Sequence, residues 1–117
     1  MASIGNNQKW TLSSDTRDGL RAFFEAGLGA KRVKELPDLD AFALDGGQMI
    51  GVQYLAPARA LDAEQLFLAP WLEFLVEDVK AAITRMESLG LERVDYFDKE
   101  HTYFKAPGGI VFRLASK

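Results

Sequence analysis

The chain has 117 residues, of which 48% are hydrophobic and 26% charged, with a net charge of −3 and no cysteine. That length supports one compact domain with a sizeable core. The composition excludes a disulfide framework, a thiol nucleophile and a thiolate metal site, and it leaves no basic footprint for nucleic acid.

No apolar run approaches the roughly 18 residues of a membrane span, and M-A-S-I-G-N-N-Q-K lacks the apolar core of a signal peptide. A cytoplasmic location is therefore expected, with neither membrane nor nucleic acid as a partner.

Taken in order, Lys9–Ser14 alternates Trp10 and Leu12 with Lys9, Thr11 and Ser13, the two-residue period of a half-buried strand. A helix starts at Asp15 or Thr16 and runs through Leu28, burying Leu20, Phe23, Phe24 and Leu28. Ser13-Ser14-Asp15 reads as its cap. Ala30–Leu36 is an exposed, charged strand stopped by Pro37. Asp40–Leu44 and Met49–Leu55 form a hairpin across Asp45-Gly46-Gly47-Gln48. Asp38, Asp40 and Asp45 lack calcium-loop spacing and read as solvated turn. Ala56–Pro70 is a linker with one helical turn at Asp62–Leu66.

The second half repeats this plan. Leu72, Phe74 and Val76 alternate with Trp71, Glu73 and Leu75 in a strand with two different faces. Asp78 caps a helix carrying Val79, Ala82, Ile83, Met86 and Leu89 at helical spacing, and Gly90 ends it. Glu92–Phe97 and Thr102–Lys105 are strands joined across Asp98-Lys99-Glu100. Pro107-Gly108-Gly109 then turns the chain into Ile110–Leu114. The order is βαβββ twice, with module one at about 8–55, the linker at 56–70 and module two at about 71–115. Leu28-Gly29 recurs as Leu89-Gly90 and Gly46-Gly47 as Gly108-Gly109, in the same order, which supports duplication.

V-E-D-V-K-A-A-I-T-R-M-E-S-L-G with F-K-A-P-G-G-I-V-F-R-L resembles the second half of a vicinal oxygen chelate protein, and R-A-F-F-E-A-G-L-G resembles the family's first helix. That superfamily includes glyoxalase I, fosfomycin-resistance enzymes, extradiol dioxygenases and bleomycin-resistance binding proteins. The resemblance implies an α+β fold in which two tandem βαβββ modules form a curled, eight-stranded mixed sheet around a cavity, helices outside. It also implies a divalent metal held from the first and fourth strands of each module. Strand parity assigns those positions to Lys9, Gln53, Trp71 and Arg113. Lysine and arginine offer no lone pair, indole coordinates nothing and a lone amide is a poor ligand, so no metal and no cofactor is expected.

The remaining lining is Lys9, Gln53, Trp71, Glu73, Arg113 and Tyr103. As a ligand site, Trp71 stacks on an apolar molecule, Arg113 clamps an anionic group and Glu73 pairs with an amine. As a closed network, Glu73, Arg113 and Lys9 neutralise one another around Trp71. The one histidine, His101, falls at a strand edge away from the ligand positions. The expectation is a metal-independent, bleomycin-resistance-like binder of a small organic molecule, paired as a homodimer. The alternative is a glyoxalase-superfamily enzyme (lyase, dioxygenase or thiol transferase) with an atypical metal site or with Glu73 as general base.

Overall fold

The computed structural model describes residues 1–117. Strand β1 (Asn7–Ser13) runs into a short 3-10 turn at Ser14–Thr16, helix α1 (Arg17–Ala22) and a π-helical turn at Phe23–Gly27. Strands β2 (Lys31–Leu36), β3 (Leu39–Ala43) and β4 (Met49–Leu55) complete the first module. The linker carries helix α2 (Ala63–Phe67), opened by a capping box in which Asp62 and Gln65 exchange hydrogen bonds. Module two follows with β5 (Leu72–Val76), α3 (Val79–Ser88), β6 (Arg93–Val94), β7 (Thr102–Lys105) and β8 (Val111–Ser116). Asp78 caps α3 as its sequence position requires, accepting from Ala81 N at 3.1 Å.

The eight strands divide into two curled four-stranded mixed sheets rather than one closed barrel, ordered β1-β4-β3-β2 and β5-β8-β7-β6. In each, the first strand lies parallel to the fourth, and the other pairs are antiparallel. The duplication extends to backbone conformation. Gly29 and Gly90 both end their helices at positive φ (71° and 79°), where a side chain would be strained. Gly109 is constrained a second way, since a Cβ there would sit 2.7 Å from Ala63 Cα in the linker helix. Strand β6 is shorter than its alternating sequence predicts, covering Arg93–Val94 only. Beyond it the chain folds back through side-chain bonds centred on Asp98.

The helix-facing sides of both sheets contribute to one core. Trp10, Leu12, Ile50 and Val52 from sheet one join Phe74, Val76, Phe112 and Leu114 from sheet two, all buried. Consecutive residues of a helical turn point in different directions, so Phe23 and Phe24 reach different neighbours. Phe24 stacks on Phe42 at 4.4 Å, whereas Phe23 meets Phe112 at 5.1 Å and Phe74 at 6.0 Å across the module boundary. Arg85 of α3 also donates to the carbonyl of Gly27 at 3.2 Å. The two modules are thus joined through their helical layer. No helix is long and apolar enough to cross a membrane.

Asp40 corrects the reading of the first acidic cluster as solvated turn. Asp38 and Asp45 are exposed, but Asp40 is fully buried on the helix side of β3. Arg17 and Arg21 grip its two carboxylate oxygens at 2.9–3.2 Å, and Tyr54 donates at 3.0 Å. Burial by itself would raise the Asp40 pKa, but the bonds from Arg21, Arg17 and Tyr54 outweigh it and hold the carboxyl well below the usual range. The period-2 pattern does place residue 40 on the helix face. It does not reveal that two arginines one helical turn apart would reach it.

Asp40→Ala leaves two guanidinium groups without their counter-charge and will cost about 3–5 kcal/mol in urea unfolding at neutral pH. Because the folded pKa is depressed, the stabilisation is complete above the unfolded carboxylate value of about 4 and is lost as the pH falls below it. The stability gap between wild type and Asp40→Asn should therefore narrow in acid. A gap unchanged down to pH 2 would remove this role.

Candidate functional site

The opposite, open face of sheet two carries the candidate site. Parallel pairing sets Glu73 of β5 directly beside Arg113 of β8, and antiparallel pairing sets Tyr103 of β7 on the other side of Arg113. Paired residues share a face, so three polar side chains separated in sequence form one row across the sheet. Arg113 Nε donates to Glu73 Oε2 at 2.8 Å. Its Nη1 donates to Asp98 Oδ2 at 3.2 Å and to the Tyr103 hydroxyl at 3.1 Å, while Nη2 makes no hydrogen bond within the chain. Trp71 covers one face of the guanidinium, 4.7 Å from ring centre to Cζ, and meets Tyr103 edge-on at 5.6 Å. Tyr96 packs on the far side of Tyr103 at 4.7 Å, and Phe97 on Tyr96 at 4.5 Å.

Asp98 is the hub. Its Oδ1 accepts from Glu100 N at 2.9 Å, closing an Asx turn. Its Oδ2 accepts from His101 Nδ1 at 2.8 Å and from the Tyr103 hydroxyl at 2.9 Å, besides Arg113. The backbone bond from Glu100, followed by those from His101 and Tyr103, holds its pKa down at about 2. Burial pushes the Tyr103 phenol up, and the Tyr103 hydroxyl heads the contacts that raise Arg113. With Glu73 and Asp98 negative and Arg113 positive, the cluster has one net negative charge when the imidazole is neutral.

The structure brings Trp71, Glu73, Tyr103 and Arg113 together, and it places Lys9 and Gln53 elsewhere. Lys9 lies opposite Gly51, and Gln53 between Thr11 and Leu39, on the open side of sheet one. Neither makes an ion pair or side-chain hydrogen bond with the cluster, and the third charged member joining Glu73 and Arg113 is Asp98 rather than the expected Lys9. Sequence reasoning set His101 aside as a strand-edge residue, read Asp98 as part of a turn, and gave Tyr96 no part in the site. The Asp-x-x-His spacing was the available signal, since an Asx turn at Asp98 brings residue 101 back to its carboxylate.

No three His, Cys, Asp or Glu side chains converge as a metal site anywhere in the chain. On the open face both carboxylates engage Arg113, whose fixed charge would repel a divalent cation, so these donors do not fit the metal that the resemblance implies. A cleft of about 430 Å³ runs along the free edge of β5, walled by Leu28, Leu44, Ile50, Leu72 and Phe74, with Glu73 and Leu75 also on it. That volume is within the range of small-molecule pockets.

No family model matches the chain, and no curated protein matches it in sequence. Solved structures do match it in fold. A fosfomycin resistance protein FosX from Listeria monocytogenes, an E126Q mutant complexed with Mn(II) and 1S,2S-dihydroxypropylphosphonic acid, superposes with a TM-score of 0.77 at 16% identity, covering 99% of this chain and 91% of that one. The trypanothione-dependent glyoxalase I of Leishmania major gives 0.74 at 17% identity, over 98% and 87%. A lactoylglutathione lyase from Agrobacterium tumefaciens gives 0.67 at 21%, over 98% and 94%. The chain shares the fold of these structures, two tandem βαβββ modules.

Because Asp98 is held near pH 2, a carboxyl ¹³C titration should find its midpoint there rather than near 4, rising when His101→Ala removes one donor. The depressed value means that its support for the cluster is intact above about pH 4 and lost as the pH falls through 2. A midpoint near 4 in the wild type would show that the cluster does not form in solution.

Proposed function

We propose that the chain binds a small, flat, uncharged organic molecule on the open face of sheet two, without a metal ion. The observation that carries this reading is Arg113, locked by Glu73 and Asp98 and backed by Trp71, with Nη2 left free to donate. A carbonyl or similar acceptor on the ligand takes that donor, and the indole and Tyr96 supply flat apolar surface. The net negative charge of the cluster disfavours an anion beside the already paired guanidinium, so the ligand's acceptor is neutral. Glu73 is held by the same guanidinium, which speaks against its use as a free base.

The proposal includes a homodimer. Trp71, Leu75 and Phe97 are exposed around this face at 38%, 54% and 83%, a large share for apolar side chains grouped on one side. A second copy covering them, with its sheet-one face bearing Lys9 and Gln53, would enclose the site.

Acetanilide is a suitable probe, being aromatic, neutral and a carbonyl acceptor. Titrated against Trp71 emission in a Trp10→Phe background, it should give a saturable change that chelator does not affect. Arg113→Ala should weaken binding about tenfold, the loss of one charged hydrogen bond. Saturation only after adding manganese or zinc would reject the metal-independent reading. Sedimentation should find a dimer at micromolar concentration.

A further inference from the structure

His101 is the chain's single histidine, and the binding reading above gives it no part. Its imidazole is tied by Nδ1 to Asp98 Oδ2 at 2.8 Å. That oxygen is an ionised acceptor, so Nδ1 carries the proton and Nε2 keeps the lone pair. Nε2 makes no hydrogen bond within the chain, and about a third of the side chain is open to solvent (32%). Beside it stands the Arg113 guanidinium, Nη1 being 3.5 Å from Nδ1; both nitrogens are donors, so they share Asp98 rather than bond to each other. The arrangement has an oriented imidazole, a carboxylate fixing its tautomer, and an adjacent cationic donor. Those are the parts that nucleophilic or general-base catalysis requires, in mutual contact.

We propose that Asp98 and His101 form a catalytic dyad acting on small aryl esters bound at the site, an activity that rests on the binding reading above. Nε2 attacks the acyl carbon, and charge developing on the carbonyl oxygen is met by the free N–H groups of Arg113. The bond from acyl carbon to aryl oxygen breaks, and the aryl group leaves as a phenolate. The acyl group now sits on Nε2 of a cationic imidazole, whose charge Asp98 balances through Nδ1–H. Water then adds to the acyl carbon, the carbon–Nε2 bond breaks, and the carboxylic acid departs with Nε2 restored; the proton released from water goes to the phenolate through solvent. Ester and water give acid and phenol, with no oxidant, reductant or metal involved. Asp98 acts through His101 and is a positioning residue.

The test uses the whole chain and 4-nitrophenyl acetate. Release of 4-nitrophenolate should proceed about tenfold faster per mole than with free imidazole at the same pH. His101→Gln should abolish the excess, and Asp98→Asn should lower it about tenfold while shifting the tautomer. The tautomer is read without any variant, because ¹⁵N spectra contain one imidazole; the wild type should carry its proton on Nδ1 at neutral pH. A rate equal to that of imidazole, a rate unchanged in His101→Gln, or a proton on Nε2 would each overturn the dyad. Acetanilide binding, measured alongside, separates the two failures: saturation without esterase activity ends the dyad alone, and no saturation ends the binding reading.

Discussion

Parallel pairing of the first and last strand in each half is the constraint that everything on the open faces follows from. It brings residues about forty positions apart side by side, so that Glu73 meets Arg113 and Thr11 meets Gln53. A parallel pair needs a crossover, and the crossover here includes a helix that covers one face of the sheet. One face is therefore filled by Phe23, Phe24, Met86 and their neighbours, and the other is left for polar groups.

The two halves each place an aspartate among arginine and tyrosine, on opposite sides of their sheets. Asp40 lies on the helix side, fully buried, with Arg17, Arg21 and Tyr54 saturating it; such a cluster fixes how α1 sits on sheet one. Asp98 lies on the open side with Arg113, Tyr103 and His101, where the partners keep unused donors and acceptors. Similar chemistry has different consequences because water reaches the second carboxylate and not the first.

The positions that the family resemblance assigns to metal ligands hold a lysine, an amide, an indole and a guanidinium here. A guanidinium between two carboxylates replaces the attraction that a cation would supply. On the reading proposed above, that face takes a neutral acceptor, and the one imidazole beside it supplies the reactivity.

The sequence by itself determined the two-module plan, most strand and helix positions, the Asp78 cap, and the grouping of Trp71, Glu73, Tyr103 and Arg113 on one face, because alternation and helical spacing are local properties. The buried state of Asp40, the short β6, the separation of Lys9 and Gln53 from the cluster, and the hub role of Asp98 were decided only in tertiary structure. Each depends on which side chains arrive from distant segments: Arg17 and Arg21 from a helix, Arg113 from the last strand. Parity can say which face a residue lies on, but the partner that fixes a charge's cost or use comes from pairing between strands and helices that periodicity leaves unspecified.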